Sequence, residues 1–279
     1  MLAALLLAVG LYFAFRRKRR NIFIPKTIWT FWHDSVLPPL VHTCIGSWKQ
    51  HHPDFNVIVL NAANIHEYVD AAVVRAPWID CLAKLSDVIR LHVLEKYGGV
   101  WADASIMLYG QFPLVAKHFN KYEFMGYYLQ QYTTNLKYPV LEAYWFATVP
   151  GGAFISRWRQ AFMSFLPDEN VIDRVQRFEQ KQGVDTQALA QKKYYLLVDV
   201  AAQYVMQKQM SQWEMKRSMF IADAEAHDGP FHYMKLTKWD RREGLLRVLR
   251  HENKSPIVKF TAVHRYIMEE MGVHAPSLE

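Results

Sequence analysis

The sequence predicts a layered α/β domain with a mostly parallel central sheet. In the first hundred residues, strand and helix patterns alternate in the order strand, helix, strand, helix, helix, strand. This alternation is typical of βαβ units, in which helices cover a parallel sheet. The chain has 279 residues, of which 51% are hydrophobic, so it can bury a sizeable core. No repeat or low-complexity linker divides it, and we expect residues 21–279 to form one domain.

The first predicted elements have clear boundaries. Residues 21–34 form a β-rich run with two tryptophans three apart, and a double proline follows the run. Residues 41–52 have the pattern of a short helix closed by a proline. Residues 55–60 have the valine and isoleucine content of a buried strand, and residues 61–74 are predicted to be helical.

The second half of the chain is less regular. Two strands and three helices are predicted there: strands at 122–132 and 143–149, and helices at 154–165, 171–182 and 194–210. Residues 227–239 have the composition of a polar and aromatic loop. The tail, residues 261–279, carries no motif that indicates chemistry.

Residues 85–105 carry the most informative pattern, a helix followed by a glycine stop and a strand. Asp87 and Arg90 stand three apart on the helix, so both side chains project from one face. Two consecutive glycines then supply the backbone freedom with which a helix ends in a left-handed turn. An ordinary ion pair on the helix surface has the same spacing, and the pattern alone leaves both interpretations open.

The strand after the glycines contains a carboxylate that needs a partner. Trp101, Asp103 and Ser105 lie on one side of it, with apolar residues on the other. A lone carboxylate in such a strand is costly to bury unless a cation meets it. Asp103 and Ser105 supply oxygen ligands, which suit a hard cation, Mg²⁺ or Mn²⁺, that keeps waters and takes substrate phosphates. An aspartate that only marks the end of a strand is the alternative.

The predicted strand ends indicate where a ligand would bind. In open parallel sheets, ligands lie beyond the carboxyl ends of the strands. His33 and Asp34 follow one strand-forming run, as Asp103 and Ser105 follow another. The aromatic content of 14% suits stacking on nucleobases or sugar rings, although packing alone would account for it. Glycine-rich nucleotide fingerprints, nucleophile-elbow motifs and zinc-ligand spacings are missing.

Charge and cysteine content exclude some classes of protein. The formal net charge is +7, but residues 16–20 supply five of the positive charges. Without that run, the basic residues nearly balance the 26 acidic ones, which argues against a nucleic-acid binder. Cys44 and Cys81 are too few for a disulfide framework and fit a reducing compartment, with a single disulfide left open.

The N-terminus has the composition of a membrane anchor. Residues 2–15 are almost wholly apolar and precede the basic run. As a helix this segment would be roughly 22 Å long, able to span a ~30 Å hydrocarbon core when flanking arginines snorkel. The order of charge is the reverse of a cleaved signal peptide. We expect residues 1–20 to form an uncleaved transmembrane anchor with a cytosolic body, and a body in the Golgi lumen is the alternative.

Three segments of the chain resemble the capsular-polysaccharide-synthesis glycosyltransferases: residues 24–32, 85–90 and 97–105. That group is GT32-like and related to initiating α-mannosyltransferases and glycosylating toxins. Its members have a GT-A fold, the Rossmann-like fold of nucleotide-diphospho-sugar transferases, and a DXD metal motif. The resemblance continues at residues 141–147, 194–204 and 235–237, so it covers nearly everything after residue 21.

The resemblance implies roles for the residues around the central motif. Trp32 would stack on the donor's nucleobase, and Trp101 matches the aromatic position before the metal motif. Ser86, Asp87 and Arg90 would hold the ribose and the donor sugar. Asp103 matches the first aspartate of the motif. Ser105 stands in place of the second, so a metal would have one carboxylate fewer.

The resemblance also implies roles for residues outside the central motif, where the matching motifs are less specific. Glu142 lies in the segment that similar enzymes turn toward the acceptor, and Asp199 lies on an apolar helix where the family often has histidine. A basic cluster would neutralise the leaving diphosphate, and its members are His232, Lys235 and Lys238. Asn61 would reach the nucleotide. The alternative for the basic cluster is an ordinary solvated loop, and the alternative for Asp199 is a helix residue that faces solvent.

The implied activity is a metal-dependent glycosyl transfer, hexosyl or pentosyl, from a UDP- or GDP-sugar to a glycan hydroxyl. Mn²⁺ or Mg²⁺ would be the cofactor, and relatives retain the anomeric configuration. Polysaccharide or glycoconjugate biosynthesis would be the setting. The alternatives are a non-catalytic protein that binds sugar nucleotides or glycans, and a membrane-attached scaffold.

Overall fold

The protein is described here by a computed structural model, which covers residues 22–166, 171–186, 189, 195–250, 252 and 255–273. Residues 1–21, which include the predicted anchor, lie outside that set. Among the described helices, none has both the length and the apolar character needed to cross a bilayer.

A six-stranded sheet forms the centre of the molecule. Its strands, in chain order, are β1 (Thr27–Phe31), β2 (Asn56–Leu60), β3 (Gly99–Ala102), β5 (Phe124–Tyr128), β6 (Leu141–Thr148) and β7 (Met219–Asp223). They lie side by side in the order β2-β1-β3-β6-β5-β7. The pairs β1–β2, β1–β3 and β5–β7 are parallel, and β6 runs antiparallel to both neighbours. The prediction of a mostly parallel central sheet is confirmed.

A second, two-stranded sheet pairs distant parts of the chain. Strand β4 (Ile106–Leu108) runs antiparallel to β8 (Ile257–Lys259), with Ile106 opposite Lys259. Neither this sheet nor β7 was expected from the sequence. The predicted strand through Ser105 is wrong in detail, because β3 ends at Ala102 and the chain turns over residues 103–105 before β4 begins.

Helices cover both faces of the large sheet. In chain order they are α1 (Pro39–His51), α2 (Ala71–Val74), α3 (Leu82–Tyr97), α4 (Pro113–His118), α5 (Ala153–Phe165), α6 (Val171–Gln182), α7 (Leu197–Tyr204), α8 (Gln212–Ser218), α9 (His232–Leu236), α10 (Arg241–Leu249) and α11 (Ala262–Glu270). Successive residues of β3 point to opposite faces, so Trp101 packs in one core while Val100 and Ala102 pack in the other. The result is a three-layer α/β/α arrangement.

Two predicted helices differ from the observed ones for local reasons. Residues 61–74 contain only a 3₁₀ turn (Ile65–Glu67) and the short α2. The Asn61 side chain accepts hydrogen bonds from Ala63 N and Asn64 N, and such local bonds compete with a continuous helix. The predicted helix 194–210 begins at Leu197 and passes into a π-helical turn (Val205–Gln209). The predicted loop 227–239 contains α9.

The glycine stop works as predicted and also allows two strands to meet. Gly98 has a φ of 65° and ends α3, and Gly99 has a φ of 103°. A Cβ on Gly99 would lie 2.6 Å from the carbonyl oxygen of Thr27 in the neighbouring strand β1. Glycine is therefore required here for both its backbone angle and its size. This close approach is at the amino ends of β1 and β3, and because the two strands are parallel, their carboxyl ends also lie side by side.

Candidate active site

A cleft of about 480 Å³ opens at the carboxyl ends of β1 and β3. Its walls come from the segment after β1, the turn after β3, the first turn of α3, and the chain between β8 and α11. The cleft lies where the sequence analysis expects a ligand, beyond the carboxyl ends of parallel strands. Its volume is within the range of pockets that hold small molecules and cofactors.

Asp103 and Ser105 meet in this cleft as predicted, but the group between them is a lysine. The ammonium Nζ of Lys259 donates to Asp103 Oδ2 and to Ser105 Oγ, both at 2.8 Å. Lys259 is the last residue of β8, and its side chain is 12% exposed. The lone carboxylate was expected to need a cation, and the ammonium meets that need.

The other carboxylate oxygen of Asp103 faces the protein interior. Oδ1 accepts a hydrogen bond of 3.0 Å from Trp101 Nε1 and lies 3.5 Å from Nη2 of Arg90. Burial on its own would raise the pKa of Asp103, but Lys259, Arg90 and the indole N–H together outweigh it and hold that pKa below its usual value. Asp103 therefore stays ionised at neutral pH.

Arg90 lies behind the cleft and joins its floor to the core. Its Nη1 donates to the backbone oxygen of Ala143 at 2.7 Å, and its Nη2 donates to Ser86 Oγ at 2.8 Å. The guanidinium also lies 3.2 Å from Asp87 and 5.2 Å from the centre of the Trp101 ring. Ser86 lines the cleft, whereas Asp87 and Arg90 do not. Their predicted contact with a donor stays a prediction, because here they bind each other and the protein.

A group of carboxyls lies beneath Arg90. Burial raises the pKa of Asp87 to about 6, against the attraction of Arg90. Burial, together with the charges of Glu142 and Asp87, raises the pKa of Asp199 well above its ordinary value. Asp199 is therefore a buried carboxyl on α7, and its alternative as a solvent-facing residue is wrong. Neither Glu142 nor Asp199 lines the cleft.

The ligand set around Asp103 does not fit a divalent cation in this arrangement. Lys259 occupies the position between the two predicted ligands. In the described part of the chain, no three His, Cys, Asp or Glu side chains are grouped so that they could hold a metal ion. Two unit positive charges 4 Å apart near a protein surface repel by about 4 kcal/mol, and a divalent ion would double that repulsion against the lysine. Metal dependence stays a prediction that this geometry does not support.

Trp32 and Arg265 form the opposite part of the cleft. The guanidinium carbon of Arg265 lies 5.6 Å from the centre of the Trp32 ring, within the range of a cation–π contact. Thr261, Ala262 and Arg265 all line the cleft. The sequence-based view that residues 261–279 carry no chemistry is therefore wrong for the start of this tail.

Two helices begin at the cleft. The first residues of α3 and the residues that open α11 lie in its wall. Helix N-termini carry unpaired N–H groups and a partial positive charge, so both favour an anion. Together with Lys259 and Arg265, they make this end of the cleft suited to phosphate.

The remaining predicted residues do not line the cleft. Asn61 is engaged in its own turn, and Lys235 is exposed and lies 3.9 Å from Glu225. His232 Nδ1 lies 3.3 Å from the backbone oxygen of Glu225, and Lys238 is exposed. His232 and Lys235 therefore lie on α9 and Lys238 just after it, all outside the cleft, and the part of this predicted basic cluster in binding a diphosphate stays a prediction.

Lys259 and Arg265 are the cleft residues that sequence reasoning missed. A signal for Lys259 existed, because residues 255–260 place one charged residue in a short apolar run, as residues 99–106 do for Asp103. Two opposite charges isolated in two apolar strands are a reason to expect that they pair. Arg265 carries no comparable signal.

Comparison with known proteins agrees with the fold. The family model described as capsular polysaccharide synthesis protein matches residues 12–228. The chain belongs to the capsular polysaccharide synthesis protein family. Trp32, Ser86 and the Asp103 turn fall inside the matched region, and Lys259 lies beyond it.

One sequence relative and one solved structure are informative. The chain is 27% identical over 173 residues to the O-glycosyltransferase braB of Annulohypoxylon truncatum, a match that covers 53% of this chain and 39% of that protein. It therefore spans well under half of that relative's length. The ligand-free glycosyltransferase domain of the YGT toxin aligns with a TM-score of 0.50 at 9% identity, over 90% of each chain. That similarity concerns the fold alone and agrees with the predicted GT-A-like α/β architecture.

Proposed function

We propose that the protein is a glycosyltransferase that takes its sugar from a nucleoside diphosphate sugar. The observation that carries this proposal is the cleft beyond β1 and β3, with an aromatic wall at Trp32 and cations at Lys259 and Arg265. An aromatic ring suits a nucleobase, and cations beside helix N-termini suit a diphosphate. Membership of the capsular polysaccharide synthesis protein family and similarity to a named O-glycosyltransferase support it.

The proposed reaction moves a glycosyl group to an acceptor hydroxyl. The bond between the anomeric carbon and the phosphate oxygen breaks, and its electron pair stays on the leaving nucleoside diphosphate. The acceptor oxygen forms the new bond to the anomeric carbon and loses its proton, so the products are a glycoside, a nucleoside diphosphate and a proton. Cationic groups that contact the diphosphate stabilise the charge that develops as the bond breaks. Retention of configuration is proposed from the family resemblance.

Each wall of the cleft has a proposed role in this reaction. Trp32 stacks on the nucleobase and Ser86 contacts the ribose or the sugar. Lys259 and Arg265 contact the diphosphate. Asp103 holds Lys259 in place and is itself held by Arg90 from behind. A glycan is the proposed acceptor, and residues 1–20 are proposed to attach the protein to a membrane.

A donor screen tests the proposed function directly. The full chain is incubated with UDP-, GDP- and other sugar nucleotides and a panel of oligosaccharides, in parallel buffers with Mn²⁺, Mg²⁺ or EDTA. Release of a nucleoside diphosphate together with a glycosylated product is the expected result. Sugar-nucleotide binding without turnover on any donor, in any buffer, would instead favour a non-catalytic binding protein.

A further inference from the structure

The strand pairing positions Lys259 at the cleft. Its backbone N–H donates to Pro230 O at 3.1 Å, its backbone oxygen accepts from Tyr233 Oη at 2.6 Å, and β8 is paired along its length with β4. At the other end of the side chain, Asp103 and Ser105 fix Nζ. Both ends of this lysine are therefore held before any ligand arrives, which lowers the entropic cost of a contact with a ligand.

The ammonium retains capacity for a ligand. Lysine has three N–H donors, and Asp103 and Ser105 accept two of them. Among the described residues, Nζ makes no third hydrogen bond. The side chain forms part of the cleft wall, so the third donor is available to a ligand there. A phosphate oxygen accepts a charge-assisted hydrogen bond from an ammonium, which is roughly twice as strong as a bond between neutral groups.

The rest of the cleft points to the same ligand. Arg265 contributes a second cation, which lies against Trp32; among the residues that the structure describes, no carboxylate forms an ion pair with it. The N-termini of α3 and α11 add partial positive charge from two directions. The cleft therefore has a lysine, an arginine and two helix ends where a diphosphate would lie beside a stacked base.

We propose that Lys259 takes the place that a divalent metal would have between Asp103 and Ser105, and that the protein binds the diphosphate of its donor without a metal. This inference rests on the proposed function and specifies its cation. Asp103 and Ser105 act as positioning residues, because each contacts the diphosphate only through the ammonium that it holds. The positive charge of Lys259 is thereby fixed where the leaving diphosphate gains charge.

Calorimetric binding of UDP and GDP tests this proposal on the full chain, in EDTA and in Mn²⁺. The wild type is expected to bind one of them in EDTA about as tightly as in Mn²⁺. Lys259→Met is expected to weaken binding in EDTA by roughly tenfold to a hundredfold, the effect of losing a charge-assisted hydrogen bond. Lys259→Arg, which keeps the charge, is expected to recover part of the loss. Lys26→Met is the matched control, because Lys26 is exposed and pairs with Asp54 outside the cleft.

Asp103→Asn separates a positioning role from a metal-ligand role. The Asn side chain still has an oxygen that can accept from Nζ, so if Asp103 only holds Lys259, the Asn variant keeps most of its binding in EDTA. Lys259→Met alone leaves the charge of Asp103 without its ammonium and could fail to fold. The double variant Asp103→Asn/Lys259→Met removes both charges together and replaces it in the binding measurement in that case. Compared with Asp103→Asn, the double variant is expected to bind at least about tenfold more weakly.

The contrary outcomes are distinct. Binding that occurs only with Mn²⁺, is lost in Asp103→Asn and is unchanged in Lys259→Met would overturn this inference and leave the proposed function standing. Equal affinity of wild type and Lys259→Met in EDTA would overturn it as well. Failure of UDP, GDP and every sugar nucleotide in the donor screen to bind in either buffer would reject both the inference and the proposed function.

Discussion

The ammonium of Lys259 lies 2.8 Å from Asp103 Oδ2, although 156 residues separate them in the chain. On the other side of the same carboxylate, Arg90 lies 3.5 Å from Oδ1. Asp103 is thus held between one cation that faces the cleft and one that faces the core. The two cations differ in what they contact, and their substitution should have different consequences.

Replacing Arg90 should destabilise the fold. Arg90→Met leaves Asp87 and Asp103 without their shared guanidinium and removes the bond to Ala143 O. Breaking a buried pair in this way costs about 3–5 kcal/mol of unfolding free energy, which urea denaturation would measure. Arg247→Met is the control, because its pair with Glu243 is on the surface of α10 and contributes about 1 kcal/mol at most. Equal losses in the two variants would contradict the role of Arg90 in the core.

The second glycine of the pair should not tolerate a side chain. Gly99→Ala places a Cβ 2.6 Å from Thr27 O at a φ of 103°, so β1 and β3 must separate. We expect a loss of roughly 3 kcal/mol or more in unfolding free energy, from strain and lost pairing. Gly151→Ala is the matched control: its φ is 62°, but no atom lies within 4 Å of the added Cβ. It should cost about 1 kcal/mol, and a similar cost for Gly99→Ala would refute the steric explanation.

Acid should destabilise the protein through His52. This residue is buried after α1, and its Nε2 accepts a hydrogen bond of 2.9 Å from Phe112 N. Burial lowers the pKa of His52 from its ordinary value of 6.5 to about 4. The unfolded chain therefore binds a proton more readily than the folded one, and stability falls as the pH drops from about 6.5 toward 4.

Unfolding in urea at a series of pH values between 7.5 and 4.5 would measure this effect. His52→Gln is expected to flatten the pH dependence, even though it lowers stability at neutral pH. His42→Gln, on the exposed face of the same helix, is expected to leave the slope unchanged. A wild-type slope that survives in His52→Gln would show that other groups carry the acid sensitivity.

The aromatic wall of the cleft should contribute to nucleotide affinity. Stacking of a base on an aromatic side chain contributes about 1–3 kcal/mol, so Trp32→Ala should weaken UDP or GDP binding by roughly tenfold or more. Trp32→Phe keeps an aromatic ring and should retain most of the wild-type affinity. Trp213→Ala, which removes an exposed tryptophan on α8, should have no effect on calorimetric affinity. Unchanged affinity in Trp32→Ala would rule out the proposed stacking.

Much of the site's framework was predictable because it depends on local sequence. The glycine pair, the apolar strand and the carboxylate at its end lie within a few residues of one another, and each has a strong conformational or solvation preference. The helices α5 and α6 were predicted to within one residue at each end. The broken helix at 61–74 was missed because side-chain bonds of Asn61 and Asp70 to nearby N–H groups outweigh a helical pattern.

The sequence by itself determined that the chain forms an α/β domain with a mostly parallel sheet and that Asp103, after the third strand, needs a cation. Only the tertiary structure decided which cation it contacts. The β4–β8 pairing brings Lys259 to Asp103, and the start of α11 brings Arg265 to Trp32. The physical reason is that a buried charge is stabilised by any opposite charge within a few ångströms, and sequence spacing does not limit where that charge comes from.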